Sequence, residues 1–125
     1  MTLPRTLILA EISSLATDHA LVPYSRDIVP TKTTVMVRLD EVTPSSERLA
    51  RKYTAALVLI TPRQAPGPAD DELDALLEDV LYVVDNAPGL TWTDAKRGTF
   101  VVDGVPLLPT YEVTITVHTV HTRGA

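Results

Sequence analysis

Apolar and polar positions alternate most clearly over Thr34-Val35-Met36-Val37-Arg38-Leu39-Asp40, where Val35, Val37 and Leu39 fall on one face and Met36, Arg38 and Asp40 on the other. A period of two is the mark of a half-buried strand. After the turn formers Thr43-Pro44-Ser45-Ser46, residues 53–60 are apolar on both faces, which suits a strand with neighbours on each side and cover above and below. The two strands predict a long hairpin over about 33–61. Near the C-terminus, Tyr111, Val113, Ile115 and Val117 alternate with Glu112, Thr114, Thr116 and His118. The first set is expected to face the core and the second to face outward. Residues 90–102 predict its partner strand, with a kink near Gly98, and Asp103-Gly104 a tight turn, so the C-terminal strands occupy about 90–120.

Helical spacing appears twice. Leu73, Leu76, Leu77, Val80, Leu81 and Val84 form one continuous stripe at i, i+3, i+4, i+7, i+8 and i+11, predicting a helix over about 70–86 that Pro88-Gly89 stops. Asp70-Asp71-Glu72 are expected at its N-terminus, where negative charge suits the helix dipole. Leu7, Ile8, Ile12 and Leu15 form a rougher stripe and predict a helix over about 2–17, with Pro4 acceptable in its first turn. Residues 18–32, broken by Pro23 and Pro30, read as irregular chain. Residues 61–69, with three prolines and a glycine, read as a loop that is neither helix nor interior strand. The order helix, two strands, helix, two strands predicts an α+β fold: a mainly antiparallel sheet of about four strands with two helices, in a single domain spanning 1–125.

Composition narrows the functional classes. The chain has 125 residues, 45% of them apolar, which supports one modest core. A net charge of −5 argues against a broad basic face for nucleic acid. Without cysteine there is no disulfide framework, no thiolate nucleophile and no cysteine-ligated metal, and the expected setting is a reducing compartment. The longest uncharged stretches, 53–62 and 113–122, are ten residues each, short of the roughly twenty that a membrane-spanning helix needs. Arg5, Glu11 and Asp18, with no small-residue cleavage site after an apolar run, do not make a signal peptide. The expectation is a soluble protein.

Few side chains invite chemistry. His118 and His121 resemble a ligand pair, but residues three apart on a strand point to opposite faces, and no third ligand lies close in sequence. His19 stands alone and reads as a surface residue. Asp70, Asp71, Glu72, Asp74, Glu78, Asp79 and Asp85 lack calcium-loop spacing and read as a solvated helix face. There is no Gly-x-Ser-x-Gly elbow and no glycine-rich phosphate loop. No catalytic residue, cofactor or metal is therefore expected, and the chain reads as a non-enzyme. Two features point to partners instead. The 61–69 loop (Pro62, Arg63, Gln64) has restricted backbone angles and would lose little entropy on docking. Arg48 and Arg51, with Lys52, form a short basic cluster between the hairpin strands that could reach acidic groups on a neighbouring subunit.

Tyr24-Ser25-Arg26-Asp27-Ile28 leading into Val35-Met36-Val37-Arg38-Leu39-Asp40-Glu41-Val42 resembles the tail terminator proteins of long-tailed phages (siphoviruses) infecting actinobacteria. So do residues 53–62, 70–81, Leu90-Thr91-Trp92-Thr93-Asp94-Ala95 and Tyr111-Glu112-Val113-Thr114. The similarity runs over roughly residues 24–120 and lies in the order of these strings, none of which is a catalytic signature. The resemblance implies a virion protein of the tail and neck, assembled in the host cytoplasm as a ring, expected to be a hexamer, on the finished tail tube. It would stop polymerisation of the major tail tube protein and offer its other face to a head-completion or connector protein. Six copies would carry about −30, so that DNA passes through an acidic lumen without sequence-specific binding. The implied alternative is another neck component, a head-completion or head–tail connector protein. A different class, a small ligand-binding or enzymatic α+β domain, would have to draw on His118, Glu112 or the acidic helix.

Overall fold

The computed structural model describes residues 4–25, 30–44, 50–63, 65–101 and 107–120. The elements run α1 (Pro4–Glu11), a 3₁₀ turn (Ser13–Thr17), β1 (Ala20–Pro23), β2 (Thr34–Pro44), β3 (Ala50–Ile60), α2 (Pro66–Asp85), β4 (Leu90–Phe100) and β5 (Leu108–Val120). The five strands form one mixed sheet in the order β1-β2-β3-β5-β4. The α+β class, the hairpin, the long helix and the C-terminal strand pair are as the sequence predicts. The sheet is larger than the four strands read from the sequence, and one of its pairings is parallel.

The extra strand is β1, which lies inside the segment read as irregular and pairs with β2 in parallel through Ala20–Thr34, Leu21–Val35, Val22–Met36 and Pro23–Val37. The N–H groups of Ala20 and Tyr24 donate to the carbonyls of Thr33 and Val37, so the even positions turn their donors toward β2. Pro23 then points its nitrogen away from the sheet, where the missing N–H leaves no ladder bond unmade.

Both helices differ from the prediction, the first in its C-terminal half and the second at its N-terminal end. The helix expected over 2–17 leaves α geometry at Ile12 (φ −107°, ψ 16°) and continues as a 3₁₀ turn. Ser13 and Ser14, weak helix formers whose hydroxyls compete for backbone groups, follow that break. The stripe still holds: Ile8, Ile12 and Leu15 are buried. Helix α2 begins at Pro66, inside the segment read as loop. Pro66 and Pro68 occupy first-turn positions, where N–H groups have no intrahelical acceptor, and the first such bond runs from Ala69 N–H to Ala65 O at 2.9 Å. Asp70-Asp71-Glu72 consequently sit in the second turn, and the first turn carries no acidic residue.

The main core fills the space between the helices and one face of the sheet. Leu73, Leu76, Val80 and Val84 of α2 pack with Ile8, Ile12 and Leu15 against Val35, Val37, Tyr53, Ala55, Leu57, Leu59, Val113, Ile115 and Val117. The opposite face carries a second cluster at one end: Met36, Ala56, Val58, Ile60, Phe100 and Leu108, flanked by Val22 and Tyr24. Met36, expected to face outward to solvent, is on that face but fully buried. Residues 53–60 are covered on both sides, as their all-apolar text implies.

Two register irregularities bend the sheet, between Leu39 and Glu41 in β2 and between Trp92 and Asp94 in β4. The register of β4 is regular at Gly98, where a kink is expected: Gly98 stays in the ladder opposite Thr110, and the irregularity lies between Trp92 and Asp94. A Cβ at that position would meet Thr110 Oγ1 at 3.2 Å, a tight contact that the threonine side chain would have to relieve. The expected turn at Asp103-Gly104 lies outside the described residues.

Candidate interaction surfaces

The residues proposed for contacts are not equally accessible. Thr61 is fully buried and donates its hydroxyl to Glu72 Oε1 on α2. Arg63 donates its backbone N–H to Thr61 Oγ1 (3.2 Å) and its Nε–H to Glu72 Oε2 (2.6 Å). Burial alone would raise the Glu72 pKa, but the Thr61 hydroxyl and the Arg63 guanidinium outweigh it and hold the carboxyl below its ordinary range. The start of the loop is therefore fastened to α2, with Pro62 half-buried and Arg63 engaged within its own chain while still exposed. Gln64 lies outside the described residues, as does Arg48. Arg51 is exposed at the loop end of the hairpin, opposite Pro44, where Val42, Thr43, Pro44, Ala50 and Arg51 line a shallow cleft of about 360 Å³.

A second cleft, about 270 Å³, lies on the helix-free face between Tyr24, Val58, Gly98, Phe100, Thr110 and Glu112. Two of its lining residues, Tyr24 and Glu112, belong to a cluster that no local pattern in the sequence assembles. Arg38 donates from Nε to Asp40 Oδ1 and from Nη1 to Glu112 Oε1, each at 2.7 Å, and its guanidinium lies 5.4 Å from the centroid of the Tyr24 ring. Asp40 above all, and then Glu112, push the Arg38 pKa up against the opposing effect of burial. The one signal in the sequence was an arginine in the middle of an alternating valine strand. Its partner Glu112 is 74 positions away, which one chain read in order does not reveal. Tyr24 meets Phe100 edge-on (6.2 Å between centroids, 88°), closing the apolar side.

Glu112 and the acidic face of α2 were the groups on which an enzymatic site would have drawn. They lie on opposite sides of the sheet: Glu112 borders the helix-free cleft, whereas α2 covers the face of Val113 and Ile115. His118 has no described side chain, and His121 lies outside the described residues. Among the described residues no group of three or more His, Cys, Asp or Glu could hold a metal ion.

His19, read as a lone surface residue, is instead a tie between layers. Its side chain is only 12% exposed, and it sits 2.6 Å from Thr33 Oγ1 through Nδ1 and 3.1 Å from Asp79 Oδ2 through Nε2. With the proton on Nε2, the ring donates to the α2 carboxylate and accepts the threonine hydroxyl. His19→Ala breaks both bonds and opens a small void between the 3₁₀ turn and α2. The expected loss is about 1–2 kcal/mol, read as a shift of the urea midpoint with an unchanged slope.

The sheet has two long stretches of edge. β1 covers β2 only from Thr34 to Val37, so Asp40 to Pro44 have no strand on their outer side among the described residues. Among the described residues β4, eleven residues long, is the opposite border and pairs with β5 alone. Through the chain of pairings β2-β3-β5-β4, all antiparallel, these two edges run in opposite directions. Charge marks both: Asp40 and Glu41 on one, Asp94, Lys96 and Arg97 on the other. Such charges protect a monomer from indiscriminate pairing yet can select one partner. Arg97 is tied to Asp70 (2.7 Å) and lies over the Tyr111 ring (5.0 Å), whereas Lys96 has only a loose contact with Asp94 at 3.7 Å. No helix among the described residues is long and apolar enough to cross a membrane. No protein-family model matches the chain, and no curated protein matches it in sequence.

Proposed function

We propose that this chain is a structural virion protein, a tail-terminator-like subunit that closes into a ring, with six copies, on top of a phage tail tube. The observation that carries the reading is the open sheet, with two oppositely directed free edges among the described residues. Copies of such a unit can join head to tail, and a head-to-tail contact that closes makes a ring with two different faces. The sequence resemblance over residues 24–120 supplies the biological setting. In that setting one face caps the tube and halts addition of the major tail tube protein. The other receives a head-completion or connector protein, and the lumen passes DNA without reading it. The chain contributes surfaces and no catalytic residue, cofactor or metal.

The test is removal of the gene from an otherwise intact virus, followed by electron microscopy of the products. Overlong tubes without heads are the expected result. Tails of normal length beside separate filled heads would transfer the chain to the joining step, as a head-completion or connector protein, and end the terminator reading.

A further inference from the structure

We infer that copies of this chain join by a knob and a hole: the loop end of the β2–β3 hairpin seats in the helix-free cleft of the next copy, where its Arg51 guanidinium meets the Glu112 carboxylate. The inference deepens the ring reading by naming a subunit contact, and rests on that reading only for the closure of the ring.

The hole is short of a cation. Arg38 is shared between two carboxylates, Asp40 and Glu112, which leaves the cluster one negative charge over. Arg38 holds Glu112 through Oε1, and Oε2 has no hydrogen bond among the described residues. Lys96, opposite Glu112 in the ladder, is 77% exposed and reaches only toward Asp94. Part of the rim is apolar: Val101 lines the cleft yet is 54% exposed, and Leu107, adjoining the Leu108 that pairs with Phe100, is 61% exposed. The volume of about 270 Å³ is below the roughly 300–1,000 Å³ of a small-molecule pocket. It suits a single long side chain whose stem lies along an apolar wall and whose charged end meets a carboxylate.

The hairpin end carries the complement. Val42 is opposite Tyr53 and Pro44 opposite Arg51, and residues two apart on a strand share a face. Val42, Pro44 and Arg51 therefore belong to the side of Tyr53, the helix-covered one, and all three are exposed. Arg38, Arg63 and Arg97 already hold carboxylates of their own chain, whereas Arg51 holds none among the described residues. Of the four large apolar side chains that the described residues leave exposed, Val42 is on the knob, Val101 in the hole and Leu107 beside it, so the contact buries all three. β1 pairs with β2 only as far as Val37 and leaves this end of the hairpin uncovered. Arg51 does not reach the cleft of its own chain: Val58, which lines it, is seven residues further along β3, roughly 23 Å at about 3.3 Å per residue, and on the other face. Knob and hole thus sit at opposite ends and on opposite faces of one sheet. The contact is heterologous, with one of each per copy, as a closing ring requires.

The experiment is sedimentation velocity of the whole chain and two variants over a range of concentrations, with circular dichroism to verify folding. R51E and V101K alter exposed side chains only, so both fold. The wild type associates. R51E sets an anion against Glu112, V101K sets a cation against Arg51, and each raises the concentration of half-association about tenfold or more. An equimolar mixture of the two variants regains association, because Arg51 of the V101K chain meets the unchanged cleft of the R51E chain. Either variant associating like the wild type overturns the joint, as does a mixture no better than its components. If in that case the wild type still forms closed rings, the ring reading stands and only this contact falls. A wild type that stays monomeric at the highest concentrations removes both.

Discussion

Leu57→Ala is expected to lower the stability of the folded chain by about 3–5 kcal/mol, a far larger loss than truncating a side chain on either edge of the sheet would cause. Leu57 is fully buried on β3, the middle strand, between Val37 of β2 and Val113 of β5, and it belongs to the cluster that Leu73 and Leu76 of α2 cover. A strand hydrogen-bonded on both sides and packed on both faces cannot shift to fill the space that a deleted isobutyl group leaves. The truncation therefore combines the transfer loss with most of the cavity term. For a chain of this length each kcal/mol corresponds to about 4 °C, so the melting temperature should fall by about 10–20 °C. Val42→Ala, on an edge and half exposed, is the control and should change stability by about 0.5 kcal/mol or less. Equal effects of the two would mean that β3 is not the centre of the core.

Glu72→Ala should come second, costing about 1–3 kcal/mol. Most of that loss comes from the Thr61 hydroxyl, which is buried and loses its acceptor. The Arg63 contact adds little, because its side chain is 60% exposed and its attraction is screened. The effect carries a pH signature. The Glu72 carboxyl titrates lower in the folded chain than its ordinary value of 4.5, so in that window the unfolded chain binds more protons, and stability rises with pH. The stabilisation is complete above the ordinary value and fades as pH falls through the lowered folded value. The gap between wild type and Glu72→Ala, measured by urea denaturation, should therefore be widest near neutrality and narrow in acid. A gap independent of pH would show that Glu72 acts through packing and not through its charge.

The loop that Glu72 fastens illustrates how far the sequence could be read. Its prolines signal a break, and a break exists, but they also hide the first turn of α2, because a residue without an N–H suits the start of a helix as well as a turn. β1 was hidden for a related reason. Pro23 argues against an interior strand but not against the outer edge of a sheet, and only the position of β2 makes that edge. His19 looked isolated because Thr33 and Asp79 are 14 and 60 positions away. Arg38 and Glu112 gave no joint signal for the same reason. Of the residues singled out for contacts, Arg51 is exposed at the end of the hairpin, whereas Arg63 is turned onto its own helix.

Alternation and helical spacing were enough to determine the α+β class, the β2–β3 hairpin, the α2 stripe and the core face of β5, because each depends on periodicity within a few neighbouring residues. Tertiary structure alone decided the parallel β1, the burial of Met36 on a second apolar face, the Arg38–Asp40–Glu112 cluster and the two opposed free edges. These follow from which strands become neighbours, a choice made by the summed packing of distant segments and written in no local pattern.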